Sequence, residues 1–271
     1  ALKNLTRARF FAVQNLTREK QRFMNQLFKK YSTMTQEKVF SDTFSTTALA
    51  VYESFESAET LANMDLHQLT EFIIEKGKNR FPDPDSVAKA IQKAARSSYR
   101  LPKTVNDSVN QVLSISISSM RAMESQIKAF DKAIAEQMAL IPNTLTSVSG
   151  IGPVYSAGIL AEIGDINRFP NQASLAKYAG LVWSQHQSGD FEAQNTRLIH
   201  SGNRYLKYYL CEAALSLARC DAEYRSFYRR KYHEVNKYQH KRALALTARK
   251  LVRLVFRLLK DNCLYRAPES K

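Results

Sequence analysis

The groups whose type and spacing could do chemistry are concentrated between residues 145 and 203. Seven of the eight glycines fall between Gly150 and Gly202, so the chain places its special backbone conformations in one region. Gly150-Ile151-Gly152 reads as a tight turn, with Pro153 opening the next helix, where its missing N–H is harmless. Such a turn presents free backbone N–H groups and the positive end of a helix dipole, which suit a phosphate. Downstream, a polar stretch carries Ser184, His186, Ser188-Gly189, Arg197, His200 and Ser201-Gly202-Asn203. Metal chemistry finds little support. Cys211, Cys220 and Cys263 have no ligand spacing with histidine, and no acidic pair sits in a predicted strand.

The elements that would position these groups read as helices. Leu145, Val148 and Ile151 space an apolar face before the glycine turn, and the small Ala157 lets the following helix pack closely, giving a helix-hairpin-helix pattern. The alternative is an ordinary αα-hairpin with a glycine turn. A short amphipathic helix follows, with Leu175, Tyr178 and Ala179. After Asn203 come three more helices, at about 203–219, 221–233 and 238–260. In the last, Leu244, Ala248, Leu251, Val255 and Leu258 form the buried stripe. Arg242, Arg249, Arg253, Arg257 and Lys260 share the other side, as a strip that could neutralise a nucleic-acid backbone. Tyr205, Tyr208, Tyr209, Tyr224, Phe227 and Tyr228 are interleaved, either as rings on which single-stranded bases could stack or as core.

Upstream, residues 5–31 place Leu5, Ala8, Ala12, Leu16, Phe23 and Leu27 on one helical face, with Arg7, Arg18, Arg22 and Lys29 elsewhere. Residues 36–76 read as two or three helices with Asp65 as a cap, and Pro82-Asp83-Pro84-Asp85 opens another from Ser86. From Pro102 to Met138 the pattern of Leu113, Ile117, Met120, Ile127, Phe130 and Ile134 is near heptad spacing. It suits either a coiled-coil-like arm for self-association or a long core helix. Strand-like alternation is scarce, so the fold class is mostly α, a helical bundle with a long coiled-coil-like helix and a helix-hairpin-helix-containing C-terminal domain. Three segments are expected: a basic helix over 1–35, a helical region over 36–140 and a domain over 141–271.

Charge is distributed unevenly. The net +15 divides into +7 over residues 1–31, −3 over 32–199 and +11 over 200–271, so the two ends are the parts facing a polyanion. There is no apolar run of transmembrane length, no signal peptide and no even set of cysteines to pair, which reads as a cytoplasmic protein with no membrane partner.

The order IPN, SVSGIGPV, AEIGD, RFPNQASLAKYAGL, QSG and then SGN opening a basic helix resembles the C-terminal transposase domain of the insertion sequence 110 family, relatives of the Piv DNA invertase. The resemblance covers about residues 141–265. It departs at Val182-Trp183, where the family usually carries a proline. It implies a DNA transposase or site-specific recombinase that acts as a homo-oligomer with a structured guide RNA. It also implies that Ser188, beside Gly189 and after Ala179-Gly180-Leu181, is the catalytic nucleophile. The alternative for Ser188 is a plain turn serine. His186 and His200 are the nearby bases, and Arg197, Arg204 and Lys207 are the cations for a phosphorane transition state. The family's ribonuclease-H-like domain, with four acidic residues holding a divalent metal such as Mg, is expected upstream of Ala1. No cofactor is therefore expected within this chain, and the other reading open is a non-catalytic DNA- or RNA-binding module.

Overall fold

The computed structural model describes residues 1–37, 39–184 and 197–267, together with the backbone of 187–188 and 191–192. Its elements are α1 (Leu2–Lys30), α2 (Ser32–Gln36), α3 (Thr46–Ser54), α4 (Ala58–Asn63), α5 (Leu66–Gly77), α6 (Pro84–Arg96) and α7 (Lys103–Met138). These are followed by α8 (Pro153–Ile163), α9 (Gln172–Tyr178), β1 (Gln187–Ser188), β2 (Phe191–Glu192), α10 (Arg204–Cys220), α11 (Ala222–His233) and α12 (Gln239–Lys260). The chain is mostly α. Local signals set many helix starts: the Asp65 carboxylate accepts from Gln68 N, Asp83 from Ser86 N, and Pro84 and Pro153 occupy first-turn positions.

Two compact units emerge, one of residues 12–127 and one of residues 1–11 with 128–271. The division falls within α1 and α7. Each long helix contributes to both cores: Phe23 and Leu27 of α1 and Leu113 and Ile117 of α7 to one, Leu2 and Leu5 with Ile134 and Met138 to the other. The stripe Leu113, Ile117 and Met120 that suggested a coiled-coil seam is buried in the chain's own core. Within the unit of residues 12–127, Lys30 of α1 is also buried, donating to the carbonyl of Tyr52 at 2.8 Å. Desolvation pushes its pKa down to about 8.

In the other unit, the segment before the glycine turn is a single 3-10 turn, Leu145–Ser147, and not the expected first helix of a hairpin. The turn runs from Thr144, at its N-cap, to an extended Val148, which ends it after one turn. Leu145, Val148 and Ile151 are nonetheless buried as the periodicity requires. The close helix approach is made by Gly158, not Ala157. A Cβ at Gly158 would lie 2.2 Å from the Tyr209 ring, while Ala157 packs with Ile134 and Met138. Tyr209 then donates its hydroxyl to the Thr6 carbonyl at 2.6 Å, tying α8, α10 and α1 together.

Candidate nucleic-acid interface

Two glycines make the base of the site. Gly180 (φ 68°) ends the turn after α9, and Gly202 (φ 119°) precedes α10. Both need a backbone region that other residues rarely adopt. They also meet: a Cβ at Gly180 would lie 2.7 Å from the Ser201 carbonyl, and one at Gly202 would lie 2.6 Å from Gly180 N. The Asn203 amide donates to the Tyr178 carbonyl at 2.7 Å. The AGL and SGN segments, separated in sequence, thus form one neck.

From this neck the polar stretch leaves as a paired ribbon. Ile199 N donates to Val182 O at 3.0 Å, Ser184 N to Arg197 O at 2.8 Å, and Trp183 bridges Leu198 in antiparallel register. Further out, β1 pairs with β2, placing Ser188 opposite Phe191. His186 and Gly189 lie outside the described residues. The sequence there has no apolar alternation to signal strands.

Asn203 joins the neck to the helices. Its side-chain oxygen caps α10 by accepting from Tyr205 N and Leu206 N, each at 3.0 Å. Its amide nitrogen donates to Glu162 Oε2 at 2.7 Å and to the Tyr178 hydroxyl at 3.0 Å. Glu162 is buried on α8, with its side chain fully covered, and is gripped by Arg7 through two bonds of 2.7 and 2.9 Å. Burial raises the Glu162 pKa, but the hydrogen bonds from Arg7 and Asn203, and the charges of Arg7 and Lys3, outweigh it and leave the carboxyl below its ordinary value. Sequence reasoning missed this network. Arg7 reads only as a cation set off the apolar face of a basic helix, and no local pattern announces a partner 155 residues away.

The predicted cations divide by location. Arg204 is exposed beside the neck and stacks over Tyr205 at 4.8 Å, Phe11 at 5.4 Å and Phe10 at 5.7 Å. Lys207 joins it around a cavity of about 270 Å3 that includes His200, Ser201 and Gly202. Arg197 is exposed on the returning strand of the ribbon. On α12, Arg242 pairs with Glu234 at 2.9 Å and Arg257 with Asp261 at 3.9 Å, while Lys260 donates to Asn167 at 2.8 Å. Arg249 is half-buried and donates to the Gln172 carbonyl at 3.4 Å, its pKa lowered by desolvation and by Arg253. Arg253 is exposed, with no ion pair among the described residues. Of the expected aromatics, Tyr209 and Tyr224 are core.

The glycine turn is asymmetric. Gly150 (φ 97°) packs against α10, its would-be Cβ 3.3 Å from Ser216 and Cys220, whereas Gly152 caps α8 with nothing within 4 Å of its would-be Cβ. Only Gly152 leaves room for an approaching phosphate. Among the described residues no three His, Cys, Asp or Glu side chains come together in a way that could hold a metal ion. No described helix is long and apolar enough to cross a membrane.

Residues 143–229 match the family described as Transposase IS116/IS110/IS902 family. The chain is 33% identical over 145 residues to the insertion element IS110 uncharacterized 43.6 kDa protein of Streptomyces coelicolor, covering 54% of this chain and 34% of that protein. It is 26% identical over 241 residues to the insertion element IS116 uncharacterized 44.8 kDa protein of Streptomyces clavuligerus, covering 84% and 56%. A probable family 20 transposase of Pseudomonas aeruginosa is 30% identical over 100 residues, covering 37% and 28%. The chain thus spans about half or less of the length of these relatives.

Proposed function

We propose that this chain is the DNA-holding and strand-transferring part of a transposase, with Ser188 as its nucleophile; the match of residues 143–229 to the family described as Transposase IS116/IS110/IS902 family supports the reading. The observation that supports this is the neck. Gly180 and Gly202 lock the two ends of a ribbon whose outer strand carries Ser188, and the same neck gathers Arg204, Lys207 and His200, with Arg197 on the ribbon itself.

In the proposed step the Ser188 hydroxyl attacks a backbone phosphorus. The bond from phosphorus to one sugar oxygen breaks, that oxygen leaves as a hydroxyl, and the strand stays bound as a phosphoserine ester. The serine proton passes to a base, for which His200 and His186 are the candidates. Arg197, Arg204 and Lys207 offset the charge that builds on the phosphorane. Attack by a hydroxyl of a second strand on the ester reverses the chemistry, rejoins DNA and frees the serine. Gly152 at the α8 N-terminus and the α12 arginines hold backbone phosphates away from the reacting one. A structured guide RNA and assembly with further copies of the chain belong to the same proposal. For the latter, Val105, Val112 and Ile115 of α7 are exposed apolar residues at helical spacing.

A second reading makes the chain a DNA- and RNA-holding module, with the chemistry in an acidic, metal-dependent domain elsewhere in the protein. The exposed Arg253 serves this reading as well, since a backbone contact needs no reacting group. The two readings separate on Ser188→Ala in the complete protein with a suitable DNA substrate. The expected result is loss of the covalent protein–DNA adduct and of strand exchange with binding near normal, because the phosphate-neutralising cations are untouched. Strand exchange that survives Ser188→Ala would move the chemistry off this chain.

A further inference from the structure

A groove of about 920 Å3 opens at the foot of the ribbon, between the stem residues Trp183 and Arg197 and the segment that joins α11 to α12. Its size lies within the roughly 300–1,000 Å3 of small-ligand sites. Two aromatic side chains line it. Tyr238 is 79% exposed and sits at φ 54°, a left-handed backbone conformation uncommon for a bulky residue. A large ring shown to solvent from a strained backbone contributes nothing to the core. Trp183, half-buried, is fixed on the opposite wall by its bridge to Leu198.

The charge of the groove is one-sided. Its carboxylate, Glu234, is already held by Lys231 and by Arg242 at 2.9 Å. Arg197, Lys237 and Lys241 also line the groove and are exposed, with no ion pair among the described residues. Cations that attract a phosphate backbone, set beside aromatic faces, are the combination that holds single-stranded nucleic acid. Base pairs within a duplex have their faces covered by neighbours and offer no surface for such stacking.

We propose that this groove takes an unpaired nucleotide, its base stacked on Trp183 and Tyr238 and its flanking phosphates met by Arg197, Lys237 and Lys241. The inference rests on the nucleic-acid reading above and adds to it a place where one strand is held unstacked, on the element that carries Ser188. It assigns functions to Trp183 and Tyr238, neither of which belongs to the glycine, serine or arginine motifs.

Trp183 is the single tryptophan of the chain, so its fluorescence reports on the groove directly. The chain is titrated with a short DNA single strand, an RNA strand of the same sequence and the matched DNA duplex, at one fixed salt concentration. Expected is saturable quenching by a single strand that the duplex does not produce, with the DNA and RNA arms identifying which strand is held. Tyr238→Leu should weaken single-strand binding about tenfold and leave duplex affinity unchanged, and Tyr238→Phe should restore it. Single strands that bind with Trp183 fluorescence unchanged, quenching that is equal with the duplex, or a Tyr238→Leu variant that binds single strands as well as the parent would each overturn the groove while leaving the nucleic-acid reading in place. Failure of all three nucleic acids to bind would overturn both. The fluorescence of the unaltered chain decides the matter even if the Tyr238 variants fold poorly.

Discussion

Asn203→Ala tests whether one residue sets the neck. The substitution removes the cap that accepts from Tyr205 N and Leu206 N, a loss of about 1 kcal/mol. It also deletes a 2.7 Å hydrogen bond to the buried carboxylate of Glu162, about 2 kcal/mol for a bond to a charged group. Together these give about 3 kcal/mol, or a fall in melting temperature of about 6–12 °C for a chain of this size. Asn203→Ser keeps the cap and cannot reach Glu162, so it should lose about 2 kcal/mol. Asn203→Asp keeps the cap but sets two carboxylates face to face, which raises the folded-state pKa of the pair. Stability tied to a raised folded pKa is present below the unfolded value and lost as pH rises through the folded one. The Asp variant should therefore approach the parent in acid and fall furthest behind it at neutral pH. Melting curves by circular dichroism across pH 3–8 give all three numbers. If Ala and Ser lose the same amount, or the Asp deficit is flat with pH, Glu162 does not depend on Asn203 and the reasoning is wrong.

Other expectations are simpler to state. Glu162→Gln should remove part of the acid-side loss of stability: the folded Glu162 pKa lies below 4.5, so its contribution is present above that value and disappears as pH falls, and an unchanged acid limb in the variant would refute it. Gly152→Val meets open space at φ −78° and should leave the melting temperature within about 1 °C while lowering affinity for DNA or RNA at fixed salt; unchanged affinity would remove Gly152 from the interface. Gly150→Ala should instead cost about 1–2 kcal/mol of stability, because φ 97° excludes a side chain. Arg253→Glu should lower affinity for every sequence and reduce the slope of log K against log salt by about 1 or more; a parental slope would mean that Arg253 faces solvent only.

The helices were largely legible because their signals are local. Asp65, Pro84 and Pro153 act within one turn of where they stand, and α10, α11 and α12 begin and end within a residue or two of the positions read from periodicity. The candidate site was legible in its residue types but not in its construction. A polar ribbon has no hydrophobic alternation, so its strands were invisible. The reason for two glycines at Gly180 and Gly202 is each other, which no spacing reveals. The same limit applied to charge. Arg7, Arg9 and Lys30 contribute to a basic amphipathic pattern, yet Arg7 binds Glu162, Arg9 pairs with Asp131 and Lys30 donates to Tyr52 O. A heptad-like stripe in α7 likewise says that something covers it, not whether that is another copy or the chain's own core.

The neck has a further consequence for how this region can change over time. α9 is closed by Gly180 and α10 is opened by Asn203 regardless of what is threaded between them, and the backbone contact of the two glycines brings the ends of the insert together. An insert whose ends already touch can change length cheaply, since doubling a flexible loop costs only about 0.6 kcal/mol of closure entropy. A change of length between Leu181 and Ser201 is therefore expected to leave α9 and α10 in register, an outcome that the melting temperature of such variants would check. Substitutions at either glycine, by contrast, would disturb every insert alike.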